Sequence, residues 1–227
     1  MSFTINPGET VGIIGRTGSG KSTLSALIGR QFDATSGTVL IDDQPIEDVH
    51  LYSLRYSIGY VPQEVFLFSD TIYNNIQFGI DNVPAEKVEQ AAKDADVHQN
   101  IMDFPKQYQT LLGERGLNVS GGQKQRISIA RAIIKDPKIL IFDDCLSAVD
   151  TETEEKILNS LNRIMQERTT LLVSHRVSTI KSADKILVMD DGHIIEQGDH
   201  ESLVEQGGLY AELNEKQLLE QQQEVEN

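Results

Sequence analysis

The chain of 227 residues carries 20 Lys and Arg against 35 Asp and Glu, a formal charge of -15. That acidic balance argues against nucleic acid as a partner, because a phosphate backbone demands a basic surface. The length suits one domain with a subdomain. The single cysteine, Cys145, excludes an internal disulfide and fits a reducing compartment and a buried packing role. No apolar run approaches a membrane span and residues 1–5 make no signal peptide, so a soluble polypeptide is expected.

Residues 3–10 read as the end of a strand and a turn, Asn6-Pro7-Gly8-Glu9, leading into the β-branched run of Val11, Ile13 and Ile14. That run ends in Gly15-Arg16-Thr17-Gly18-Ser19-Gly20-Lys21-Ser22, which fits G-x-x-x-x-G-K-[ST] at every fixed position. Ser22 to Leu27, with Thr23 beside the loop, reads as the first turns of a helix. Gly15, Gly18 and Gly20 let the backbone turn tightly and point N–H groups inward, and the helix N-terminus adds its positive end. Anionic phosphate is therefore favoured along Gly15 to Thr23. Lys21 is expected to reach the β- and γ-phosphates and the Ser22 hydroxyl to ligate magnesium.

Gly37 to Asp42 and Ser57 to Val61 read as further strands, the second ending at Pro62 and leaving Gln63 just past its end. From Thr71 to Ala132 the pattern becomes mostly helical, most clearly at 85–95 and 123–134. The expected organisation is a core of 1–70 and 133–212, a helical subdomain of 71–132 and a C-terminal helical tail of 213–227. Lys138 to Phe142 is a continuous apolar strand followed by Asp143 and Asp144, which sit where such strands present ligands. Thr151 to Arg168 places Ile157, Leu158, Leu161, Ile164 and Met165 on one helical face, a core stripe. Thr170 to Ser174 is another buried strand, ending at His175; 185–189 and 193–196 form a hairpin through Asp190-Asp191-Gly192. Residues 201–227 read as one helix that becomes rich in Gln and Glu. His50, His98, His193 and His200 have no neighbouring motif and are expected at the surface.

A carboxylate at a strand end beside a phosphate loop can hold magnesium through its water shell, which makes Asp143 a metal candidate. Between the loop and this strand lies Val119-Ser120-Gly121-Gly122-Gln123, then Lys124-Gln125-Arg126 and a helical Ile127 to Ala132. Ser-Gly-Gly-Gln opening such a helix resembles the signature of ATP-binding-cassette proteins. The remaining motifs follow in that family's order over nearly all of the chain. The resemblance implies an α/β fold: a phosphate-loop NTPase core with mixed sheet and an inserted α-helical signature subdomain. It also implies ATP and Mg2+ as cofactors, Gln63 as the glutamine that senses magnesium and the transport domain, and Ser147-Ala148-Val149-Asp150 as the loop crossing a dimer interface. His175 becomes the switch histidine on the γ-phosphate; alone it reads equally well as a structural histidine.

In that family two nucleotide-binding domains sandwich two ATP molecules, each nucleotide lying between one chain's phosphate loop and the other's Ser120, Gly121, Gly122 and Gln123. The residue types agree: a serine, two glycines and a helix N-terminus form an anion site with no phosphate loop of its own. Gly113-Glu114-Arg115-Gly116, otherwise a solvated ion pair, is similar to the exporter branch, where this loop contacts the membrane domain. The implied partners are a membrane-spanning transporter domain, in the same longer chain or a second subunit, and a second nucleotide-binding domain as homodimer or heterodimer. The implied place is the cytoplasmic face of a membrane. The implied function is an ATP-hydrolysing motor that powers export.

Two departures qualify this. The family's adenine-stacking aromatic, about two dozen residues before the phosphate loop, would precede Met1, and reduced adenine affinity is expected; in a longer polypeptide the membrane domain would precede Met1 as well. The residue after the magnesium-binding Asp is usually Glu, which polarises the attacking water, and here it is Asp144. The lost methylene withdraws the base by about 1 Å, enough to cost ~100-fold in rate. Asp144 thus resembles the degenerate half of heterodimeric exporters; drift with full activity is the alternative. The rivals are a non-hydrolytic module in which ATP is dimer glue, and an ATPase of DNA repair or chromosome maintenance. The acidic balance and absence of long heptads disfavour the latter.

Overall fold

The apolar runs become one twisted sheet, because strands buried on both faces need no alternation and their crossovers supply covering helices. The computed structural model describes residues 1–80, 82–116, 118–146 and 151–225. Six strands lie in the order β4 (Ile58–Val61), β5 (Ile139–Asp143), β6 (Thr169–Val173), β1 (Thr10–Gly15), β7 (Lys185–Asp190) and β8 (His193–Gly198). The first five are parallel and β8 returns antiparallel, so the sheet is mixed, as expected.

Register brings the strand ends into one row. Val61 pairs with Phe142, Asp143 with Val173 and Val173 with Ile13. The segments leaving β1, β4, β5 and β6 therefore emerge along the same carboxyl edge, where open α/β sheets bind ligands.

The period-two pleat sorts side chains into two cores. Val11, Ile13, Ile141, Leu171, Val173 and Leu187 face one side with Leu24 of α1 (Lys21–Ile28) and Leu54 of α2 (Leu51–Ser57). Ile14, Leu140, Phe142, Leu172, Ile186 and Val188 face the other, in a core continuous with the helices of residues 72–133. Those helices are α3 (Ile72–Ile76), α4 (Ala85–Asp94), α5 (His98–Met102) and α6 (Gly121–Ile133). The stripe on α7 (Thr151–Met165) is core: Ile157, Leu161 and Met165 are buried. After β6 come the one-turn α8 (Val177–Ile180), then α9 (His200–Gln206) and α10 (Leu209–Val225).

Four local expectations are corrected. Residues 3–9 form no strand; Phe3 and Ile5 pack on the first core, and the Glu9 carboxylate accepts the Asn6 N–H at 2.6 Å to close the turn. The strand expected at 37–42 is only β2 (Leu40–Ile41), paired with β3 (Gln44–Pro45) in a separate hairpin. Asp42 and Asp43 at its tip have φ 51 and 61, the left-handed pair that a tight hairpin demands. The C-terminal helix is two, because Gly207 ends α9 in the left-handed conformation, φ 69. His98 and His200 are not simple surface residues: their Nδ1 atoms lie 2.7 and 2.8 Å from the hydroxyls of buried Tyr108 and Tyr210. Burial pushes both phenols up to about 12.

Candidate functional site

The loop from Gly15 to Lys21 sits between β1 and α1, and each glycine has its own reason. Gly18 and Gly20 take φ 83 and 97, which side chains resist. Gly15 is needed for space instead: a Cβ there would stand 2.1 Å from the Met189 carbonyl oxygen of β7. Gly20 is the N-cap of α1, so no side chain occupies the helix's positive end.

Arg16, Thr17 and Gly18 are exposed, Ser19 is buried, and Ser22 and Thr23 are exposed at the start of α1. Lys21 is buried at 5% exposure, with its ammonium donating to the carbonyls of Gly15 at 2.8 Å and Arg16 at 2.9 Å. Burial lowers its pKa, and the nearby Asp144 and Asp143 carboxylates oppose that shift. The Arg16 guanidinium reaches Glu212 of α10 at 3.4 Å.

Asp143, at the end of β5, is buried, and three hydroxyls among the described residues donate to its carboxylate. Ser22 Oγ donates to Oδ1 at 3.0 Å; Ser25 Oγ and Tyr60 OH donate to Oδ2 at 2.8 and 3.1 Å. Burial, with Asp143 as a further contributor, raises the Tyr60 phenol. Ser22 and Asp143 offer adjacent hard oxygens, a donor set that suits Mg2+ with phosphate and water completing the shell. Ser25 and Tyr60 orient the carboxylate from behind, and sequence reasoning missed both. Ser25 lies one helical turn after Ser22, a spacing that could have pointed to it.

Asp144 follows in a left-handed conformation, φ 47, which Asp tolerates better than most residues. Its carboxylate joins two of the expected residues: Gln63 Nε2 donates to Oδ2 at 3.2 Å, and His175 Nε2 lies 3.7 Å from the same oxygen. The His175 N–H points at Oδ1 from 3.4 Å. Burial raises the Asp144 pKa and the neighbouring His175 works against it. Cys145 beside it is buried and its thiol pushed up by burial, in keeping with a packing role.

The chain leaving β6 is held by residues that no motif announced. Glu154 of α7 is buried and accepts from Arg176, Thr179 and Ser178. From the other side, Gln217 of α10 holds the backbone of His175 and Val177.

Phosphate loop, Asp143, Asp144, Gln63 and His175 thus share one edge. The signature does not join them. Ser120 and Gln123 form a reciprocal cap on α6: Ser120 Oγ accepts the Gln123 N–H at 3.2 Å, and Gln123 Oε1 accepts the Ser120 N–H at 3.0 Å. Gly121 beside them is exposed and Gly122 half-buried. Glu114–Gly116 is a single 3-10 turn. The expected interface loop Ser147 to Asp150 lies outside the described residues.

A strand, a glycine loop with a buried lysine, a helix and a second parallel strand, one removed in the sheet and ending in aspartate, define a phosphate-loop nucleotide-binding domain. Comparison with known proteins specifies it further. The family model described as ABC transporter matches residues 1–147. This chain therefore belongs to the ABC transporter family. It is 49% identical over 219 residues to an ATP-dependent lipid A-core flippase of Pseudoalteromonas atlantica, covering 96% of this chain and 37% of that protein. It is 48% identical over 213 residues to ATP-binding cassette sub-family B member 6 of Homo sapiens, covering 94% of this chain and 25% of that one. A solved structure of a bacterial Atm1-family ABC exporter with ATP bound matches with a TM-score of 0.90 and 46% identity, covering 94% of this chain and 37% of that chain. The chain spans 25% to 37% of the length of these relatives. Among the described residues no helix is long and apolar enough to cross a membrane.

Proposed function

We propose that this chain is the ATP-binding and ATP-hydrolysing motor domain of an exporter, one of two such domains that close on ATP at the cytoplasmic face of a membrane. The observation that carries the reading is the shared oxygen site of Ser22 and Asp143, 3.0 Å apart, beside a buried Lys21 and an Asp144 that contacts both Gln63 and His175. The amides of Gly15 to Thr23 bind the β- and γ-phosphates. Lys21 exchanges two loop carbonyls for phosphate oxygens. Ser22 and Asp143, with Gln63 alongside, would hold Mg2+, which would supply charge neutralisation there. Asp144 accepts the proton of the attacking water, and His175 donates a hydrogen bond toward the γ-phosphate.

Ser120, Gly121, Gly122 and Gln123 serve the other copy's nucleotide. Support comes from the end of α6, where Ser120 and Gly121 are exposed and the Ser120 and Gln123 side chains cap the helix reciprocally. A membrane-spanning partner is supported by a groove lined by Tyr52, Tyr56, Phe78, Arg131 and Lys135. The groove leaves Tyr52 68% and Phe78 52% exposed, a contiguous aromatic patch suited to helical segments of a membrane domain. Calorimetric titration of Mg-ATP tests the reading: binding by the parent and none by Lys21→Ala is expected, and equal affinity refutes the phosphate-loop assignment.

A further inference from the structure

The backbone around His175 lies beyond the last ladder pair of β6 and ahead of a helix of one turn. The His175 carbonyl and the Val177 N–H, two residues apart, therefore lack partners from either element. A single side chain supplies both. Gln217 Nε2 donates to the His175 oxygen at 2.6 Å, and Gln217 Oε1 accepts the Val177 N–H at 2.7 Å. The amide spans residues i and i+2 as a neighbouring strand would, and only this orientation gives each atom a complementary partner.

Gln217 can do this because α10 is fixed in rotation and in height. The Glu196 carboxylate of β8 accepts the first amides of the helix, from Leu209 at 2.5 Å and Tyr210 at 3.1 Å. Tyr210 is fully buried, Leu213 packs on the core, and Gln217 follows at i+7 on the same face. Lys216 and Leu218 on either side are exposed. The inward position with the amide is the one that meets the chain carrying His175.

We propose that Gln217 is a positioning residue for His175, holding the backbone so that the imidazole keeps its place beside Asp144 and toward the γ-phosphate. It acts through the backbone of His175 and Val177. The proposal rests on the ATPase reading above and extends it to a helix that carries no nucleotide-binding motif. Glu212, five residues earlier, meets Arg16 of the phosphate loop, so α10 touches both the phosphate loop and the His175 segment.

The test uses this chain with Gln217→Ala and Gln217→Met, the second keeping length and packing without the amide. ATP turnover is expected to fall about tenfold in kcat in both, with KM within about twofold, since misplacement of a catalytic group by a fraction of an ångström is felt in the chemical step. In the His175→Ala background the same substitutions are expected to have no further effect, because residues acting as a unit are not additive. Additive losses, or restoration of kcat by Met, overturn the proposal. Amide hydrogen exchange reads the clamp without turnover: the Val177 N–H is expected to exchange at least tenfold faster in both variants, and unchanged exchange overturns the proposal. If the parent released no phosphate, the ATPase reading would fail and Val177 exchange would decide the clamp alone.

Discussion

Asp144→Glu tests how the chemistry at the nucleotide is limited. Asp144 Oδ2 stands 3.2 Å from Gln63 Nε2 and 3.7 Å from His175 Nε2, so the carboxylate is drawn back among its own neighbours. One more methylene, a carbon–carbon bond of about 1.5 Å, advances the carboxylate by roughly 1 Å toward an attacking water. A displacement of that size is worth up to ~100-fold in rate. The substitution has a cost, because Asp144 sits at φ 47, where Asp is favoured over Glu. About 1 kcal/mol of stability is expected to be lost, which for a chain of this size is a fall of about 2–4 °C in Tm. Steady-state phosphate release at saturating Mg-ATP, with Tm measured on the same samples, reads both effects. A variant 10- to 100-fold faster and slightly less stable is the expected result. Equal fast rates in parent and variant would mean that Asp144 is a fully competent base and that its shorter reach limits nothing.

Ser120→Ala removes the cap of α6, costing about 1 kcal/mol of stability, and is expected to slow hydrolysis at the phosphate loop of the other copy. Mixing it with Lys21→Ala separates the two sites, and loss confined to its own loop contradicts the sandwich. Tyr60→Phe leaves Asp143 Oδ2 with Ser25 as its hydroxyl partner, and the Mg2+ concentration for half-maximal ATP binding is expected to rise about tenfold. An unchanged Mg2+ requirement excludes Tyr60 from orienting the carboxylate. The hydrogen bond from Arg168 holds the Asp136 carboxyl below its ordinary value. A lowered carboxyl contributes stability above its unfolded pKa, near 4, and loses it as pH falls through the folded value. Asp136→Asn should therefore lower Tm at pH 7 and flatten the acid decline below about pH 4; parallel Tm profiles would contradict the assignment.

What was legible in the sequence is what is local. Gly15 to Ser22 is contiguous, Asp143 and His175 announce themselves by ending apolar runs, and Ser120 opens a helix whose cap is written three residues on in Gln123. The α/β fold with its mixed sheet was implied by the family resemblance together with the alternation of apolar runs and helical segments. Tyr60 was not legible, because its role depends on β4 lying beside β5, with Tyr60 opposite Ile141. Glu154 and Gln217 reach the His175 segment from helices that carry no motif, and Gln217 is 42 residues distant from His175. The break at Gly207-Gly208 was written as a turn signal and lost in an otherwise helical pattern. Residues 37–42 misled by composition: a β-branched run met no long partner and formed two ladder pairs.

The proposed function requires this chain to bind Mg-ATP at Gly15 to Thr23 and to hydrolyse it with the signature of another copy. Phosphate release per chain, measured against protein concentration for the parent and for Lys21→Ala, tests it most directly. A specific rate that climbs with concentration in the parent and is lost in Lys21→Ala is the expected outcome. Phosphate release that survives Lys21→Ala, or a rate per chain independent of concentration in a monomeric parent, would contradict it.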